Sequence, residues 1–136
     1  GLTVDRAIDD RRNFYLATRA AARYLRKCGL RVVTTGVRNR LGEIDIVALD
    51  GETVVFVEVK TRRHHGAGSP VEAVDERKQH QLTRLALLFC KQHGLLQTKA
   101  RFDIVAVTWP NDAKLPQIEH IANAFALPSV GCRGSV

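Results

Sequence analysis

The tightest constraint on this chain is local. Gly42-Glu43-Ile44-Asp45-Ile46-Val47-Ala48-Leu49 and Thr53-Val54-Val55-Phe56-Val57-Glu58-Val59-Lys60 are apolar, β-branched runs joined across Asp50-Gly51. An Asp-Gly pair accepts the positive φ angles of a tight two-residue turn, so the segment is predicted to be a β-hairpin. Asp and Glu are disfavoured in strands. Glu43, Asp45 and Glu58 nevertheless interrupt the runs, and Lys60 follows Glu58 by two.

With Asp50 and Gly51 as the loop, Ala48 is expected opposite Thr53, Asp45 opposite Phe56 and Glu43 opposite Glu58. Side chains two apart share a face, so Glu43, Asp45, Glu58 and Lys60 are expected on one side, with Asp45 and Glu58 as diagonal neighbours about 7–8 Å apart. Three carboxylates on one face raise one another's pKa values unless a cation lies among them. Mg²⁺ suits such a set, since it takes one or two carboxylates, several waters and a substrate phosphate. Lys60 adds a compact positive charge suited to a phosphoryl oxygen or a nucleophilic water. The alternative is a solvent-facing ladder in which Lys60 and Arg62 neutralise the acids.

Around the hairpin, helix and strand patterns alternate. Residues 1–10 form a polar lead-in. From about Arg11, the residues Phe14, Ala17, Ala21, Leu25 and Cys28 recur at helical spacing and Gly29 supplies a stop. Leu30 to Thr34 is a short β-type run, followed by a polar segment carrying Arg38 and Arg40. After Lys60 a Gly- and Pro-punctuated loop from Thr61 to Pro70 holds Arg62, Arg63, His64 and His65. Its two arginines suit contact with nucleic-acid phosphates, and the adjacent histidines are read as solvated rather than ligating.

A second helix is expected from about Val71 to Gly94, with Leu82, Leu85, Ala86 and Phe89 as its stripe. Its first turns carry Arg77, Lys78, Gln79, His80 and Gln81, most simply a solvated face. Phe102 to Val107 reads as a strand buried on at least one side, Trp109 to Asp112 as a turn, and Gln117 to Ile121 as an edge strand. The domain is expected over 11–126, with a disordered tail at 127–136. The order satisfies both helical stripes if a mixed sheet lies between or beside two helices, a single α/β or α+β domain.

The 136 residues carry 21 Lys and Arg against 14 Asp and Glu, a formal charge of +7, and the pI is near 9.8. An anionic partner follows, nucleic acid first, with an acidic protein or a membrane surface as alternatives. No apolar run approaches the length of a membrane-spanning helix. Cys28, Cys90 and Cys132 lack the spacing of a zinc or redox motif. Cys28 and Cys90 are expected on apolar helix faces, and such free thiols fit a reducing cytoplasm. The absence of methionine points to a processed or trimmed start.

Asp45, followed thirteen residues later by Glu58-Val59-Lys60 on the next strand, resembles the D…E-x-K signature of the PD-(D/E)XK nuclease superfamily. The element order resembles its restriction-endonuclease-like αβββαβ core. The closer resemblance is to the bacterial YraN family, which is similar to archaeal Holliday-junction resolvases. It extends through Ala21-Ala22-Arg23-Tyr24-Leu25, Gly42-Glu43-Ile44-Asp45, Phe56 to Arg62, Ala73-Val74 with Lys78, Arg101-Phe102-Asp103 and Ile118 to Phe125, roughly Phe14 to Phe125 in all.

The resemblance implies a metal-dependent endonuclease acting on DNA, including branched or recombination intermediates, and a homodimer would suit that task. It implies Mg²⁺ or Mn²⁺ held by Asp45, Glu58 and the carbonyl of Val59, with Lys60 positioning or activating water, and it brings Lys78 or Gln79 near the site. The family usually has a glutamate six positions before the residue matched by Tyr24, where this chain has Thr18. Glu43 is the candidate substitute for that charge. A second hypothesis keeps the fold and the basic surface as a nucleic-acid-binding or scaffolding module without turnover.

Overall fold

The computed structural model describes residues 2–62 and 70–126. Its elements are α1 (Leu2–Lys27), β1 (Arg31–Asn39), β2 (Gly42–Asp50), β3 (Thr53–Arg62), a 3₁₀ turn at Pro70–Ala73, α2 (Glu76–Gln92), β4 (Ala100–Thr108) and β5 (Gln117–Phe125). The five strands lie in sequence order in one sheet. Pairing is antiparallel except between β3 and β4, which run parallel because α2 crosses between them. This is the expected α+β mixed sheet in a single domain.

The two helical stripes cover opposite faces. Ala17, Ala21 and Leu25 of α1 pack on Ile46, Val55, Val57, Val105 and Val107. Leu82, Leu85, Ala86 and Phe89 of α2 pack on Ile44, Val47, Val54, Phe56, Phe102 and Ile104. Odd positions of β3 therefore face α1 and even positions face α2, the period-two consequence of a strand buried on both sides. No helix among the described residues is long and apolar enough to cross a membrane.

Several boundaries differ from those expected. The polar lead-in is helical, since α1 begins at Leu2. A hydrophobic stripe reports which turns need a core, whereas propagation needs only residues without a backbone penalty, and no Gly or Pro occurs from Leu2 to Cys28. Cys28 lies past the end of α1 and is exposed, while Cys90 is buried as expected. β1 runs on to Asn39, because as an edge strand it needs pairing on one side only and tolerates Arg38. The helix expected from Val71 starts at Glu76, where Asp75 caps it by accepting the Lys78 N–H at 2.9 Å. The tail from 127 and the segment 63–69, with Arg63, His64 and His65, lie outside the described residues.

The hairpin register is also corrected. Asp50 pairs with Thr53, Leu49 with Val54, Ala48 with Val55 and Ile46 with Val57. The loop is thus Gly51-Glu52, with Gly51 at φ 59° as the first central residue, a place where a two-residue turn favours glycine. Asp50 stays in β2 because its carboxylate accepts from Arg101 of β4 at 2.7 Å, 51 residues away. Counting back, Asp45 falls directly across from Glu58 rather than diagonal to it.

Asp103 is a second acid inside a strand, fully buried on β4. It accepts from Arg101 Nε at 3.0 Å and Nη2 at 3.3 Å, contacts His120 Nε2 at 2.8 Å and takes the Asn123 N–H at 2.9 Å. The β4–β5 ladder shifts register at this point, between Phe102 and Ile104, so the carboxylate supplies the edge strand with bonds that the ladder omits. Removing one partner of a buried, hydrogen-bonded ion pair costs about 3–5 kcal/mol. Asp103→Ala is expected to lower unfolding stability by that amount, measured as a lower urea midpoint at unchanged m value.

Candidate metal centre

The β2–β3 ladder ends at Ile46 and Val57, one position short of Asp45 and Glu58. Beyond it the Val59 N–H donates to Asp45 Oδ2 at 2.8 Å, so a side-chain carboxylate takes the role of a strand acceptor. β2 also turns over here. Ile46 and Ala48 pack toward α1, whereas Ile44, which strict alternation would place with them, packs with Val47 toward α2. The acids consequently do not form the flat one-sided row that alternation predicts.

They meet at the gap between the parting strands. Asp45 and Glu58 are buried at 6% and 8% exposure, with the Glu58 carboxyl next to that of Asp45. Desolvation, then the adjoining Glu58 carboxyl, push Asp45 up to about 8, with a smaller rise from the charge of Glu43 and against the lowering effect of the Val59 N–H. Glu58 Oε2 is buried with no hydrogen-bond partner among the described residues. Lys78 Nζ stands 3.7 Å from it, within ion-pair reach but beyond a hydrogen bond. Two desolvated acids with one oxygen unsatisfied form a site that a cation would complete.

Other predicted residues flank this pair on opposite faces. Toward α1, Glu43 and Asp45 line a cavity of about 500 Å³ with Phe14, Tyr15, Thr18 and Arg38. Glu43 does not join Glu58 as a third acid; its carboxylate turns to Arg38 at 3.4 Å. Thr18 faces the same cavity, with its hydroxyl donating to the Phe14 carbonyl at 3.0 Å. Toward α2, Lys60 and Lys78 line a cleft with Arg77, Gln81 and Arg84. Gln81 closes that side by donating to the Leu41 carbonyl at 2.6 Å, and a Cβ at Gly42 would lie 2.5 Å from its Nε2. A Cβ there would push the Gln81 amide off its bond, and the φ of 141° at Gly42 favours glycine in its own right.

Three further residues expected to meet nucleic acid lie away from the carboxylates. Arg62 remains within β3 and pairs with Glu119 of β5 at 3.7 Å, so it is part of the sheet rather than of a loop arm. The Gln79 amide donates to the Val74 carbonyl at 3.0 Å, inside its own turn. Arg40 is exposed at the β1–β2 turn. Among the described residues no three His, Cys, Asp or Glu side chains gather as ligands. The donor set is the pair Asp45 and Glu58, too few for a structural zinc site and sufficient for Mg²⁺ or Mn²⁺, which keep waters and take oxygen from substrate.

Sequence reasoning did not identify Phe14, Tyr15 and Arg11 as cavity residues, because their place depends on how α1 crosses β1. Asp103 carries the same signal as Asp45, an acid amid apolar strand residues, but is met by the Arg101 guanidinium, the His120 imidazole and the Asn123 N–H. The contrast separates an acid that builds the fold from one left paired with another acid.

The model of the Uncharacterised protein family UPF0102 matches residues 17–107. A UPF0102 protein of Geobacter sulfurreducens is 50% identical over 108 residues, covering 79% of this chain and 83% of the relative. One from Rhodococcus jostii is 45% identical over 105 residues, 77% and 88% of the two chains. Another, from Trichlorobacter lovleyi, is 47% identical over 113 residues, 82% and 88%. None of these names states an activity.

The raised pKa of Asp45 has a defined sign for stability. A carboxyl raised on folding contributes stability that is full below its unfolded value of 3.8 and lost as pH rises through about 8. The chelated protein is therefore expected to lose thermal stability as pH rises through that window. Asp45→Asn, which keeps an acceptor for Val59 and removes the charge, should flatten the dependence and raise Tm at the alkaline end, by roughly 4 °C for each kcal/mol relieved. Calorimetric scans across the pH range check this; an unchanged slope in the variant would contradict it.

Proposed function

The chain belongs to the uncharacterised protein family UPF0102, and we propose that it is a metal-dependent endonuclease hydrolysing DNA phosphodiester bonds, branched or recombination intermediates included. The observation that carries the reading is the buried Asp45–Glu58 contact at the strand gap, with the Glu58 oxygen left unsatisfied. A divalent cation bound there would supply Lewis acidity at the scissile phosphoryl group. The Val59 N–H fixes the orientation of Asp45, which leaves its other oxygen for the cation. Lys60, two residues beyond Glu58 and at the edge of the basic cleft, would orient the attacking water and stabilise charge on a phosphoryl oxygen. Lys78 balances Glu58. The net charge of +7 favours a polyanionic substrate.

Thr18 favours a second reading, a DNA-binding module without turnover. It faces the Asp45 cavity without charge, and its hydroxyl proton is committed to the Phe14 carbonyl. Incubation with single-stranded, duplex and four-way-junction DNA in Mg²⁺ or Mn²⁺ separates the two. Cleavage of at least one substrate is expected, falling to background in Asp45→Asn and by about 100–1,000-fold in Lys60→Ala. No cleavage anywhere, or cleavage that survives both substitutions, would overturn the nuclease. A salt-sensitive gel shift without cutting would support the binding module.

A further inference from the structure

The cavity beside Asp45 does not end there. Tyr15, Thr18 and Thr35 border both it and a second cavity of about 310 Å³ farther along α1. Together they make a continuous groove between α1 and β1 that starts at the carboxylates. Arg11 and Arg38 flank the end near the acids. Arg19, Arg23 and Arg26, spaced four and three apart on one helical face, line the far end. Among the described residues no carboxylate pairs with Arg11, Arg23 or Arg26.

In the middle of this cationic track stands an exposed aromatic ring. Tyr15 is 60% exposed, and the Arg19 guanidinium lies over its ring at 5.8 Å, which restrains its orientation. A positive groove that follows a backbone, combined with an aromatic face for a base, is the physical means by which proteins hold single strands. Paired bases in a duplex cannot offer a face to such a ring without unstacking. The cleft on the opposite face, beside Lys60, is lined by cations, Asp75 and a single ring, His80, which lies 3.8 Å from Glu76. Among its described lining residues there is no Tyr, Phe or Trp.

We infer that the α1–β1 groove holds a single strand of DNA leading to the Asp45–Glu58 pair, with one unpaired base stacked on Tyr15. This deepens the nuclease reading and rests on it for what happens at the carboxylates. Substrates with a single-stranded arm at the cutting site are then preferred over continuous duplex.

Fluorescence anisotropy in Ca²⁺ tests the groove through binding alone, using a labelled single strand, an abasic strand of equal length and a duplex. Tyr15→Ala is expected to weaken single-strand binding about tenfold, with the abasic strand and the duplex unchanged, while Tyr15→Phe binds as the parent does. Arg23→Gln with Arg26→Gln should reduce the salt-dependence slope by about 0.7 for each arginine that contacts phosphate. Single-strand affinity indifferent to Tyr15→Ala, or an equal loss on the abasic strand, would overturn the inference. Tyr15-dependent binding without cleavage in Mg²⁺ would leave the groove standing and remove the nuclease. Cleavage with Tyr15-independent binding would do the reverse.

Discussion

The bond from the Val59 N–H to the Asp45 carboxylate holds together the end of the sheet where β2 and β3 part. It gives a backbone donor of β3 an acceptor that the parting strand no longer provides. Leaving that buried N–H unmade would cost about 1–3 kcal/mol. Satisfying it with a side chain draws an acid into the sheet, against the desolvation that keeps acids out. Glu58 arrives from the facing strand with the same penalty. Burial and the neighbouring Glu58 carboxyl hold the Asp45 pKa up at about 8, while Lys78 stands 3.7 Å from Glu58.

The rest of the architecture maintains that arrangement. α1 and α2 each cover one face of the sheet, and Asp45 opens onto the cavity beside α1. The Gln81 amide, bound to the Leu41 carbonyl over the bare backbone of Gly42, pins the start of β2 against α2. At the far side of the sheet Asp103 shows what a buried acid looks like when it serves the fold alone, with a guanidinium, an imidazole and a backbone N–H around it. Asp45 has one N–H, with Glu58 beside it and the charge of Glu43 in the same cavity. The difference in partners, rather than burial, is what sets the proposed site apart.

Much of this was legible in the sequence for identifiable reasons. Acids amid β-branched runs break a strong period, so Asp45 and Glu58 stand out, and two amphipathic stripes with a β-rich middle define the layers. The hairpin register was not legible, because Asp50-Gly51 and Gly51-Glu52 are both plausible two-residue loops and the partner that Asp50 meets in the strand, Arg101, is 51 residues away. Nor was the fate of Arg62, which depends on Glu119 lying two strands over. Glu43 was expected beside Glu58 and instead turns to Arg38, because β2 rolls over at Asp45 and breaks the alternation on which the expectation rested. The α1–β1 groove combines residues that no local pattern connects.

The proposed function requires the Asp45–Glu58 pair to be a cation site that the protein alone leaves incomplete. Titration of the chelated protein with Mn²⁺, followed by electron paramagnetic resonance in the absence of DNA, tests it without reference to activity. One bound Mn²⁺ per chain is predicted, with affinity rising as pH passes through about 8 and Asp45 releases its proton, and with binding lost in Glu58→Gln. Absence of binding at any pH, or binding that persists unchanged in Glu58→Gln, would contradict the account.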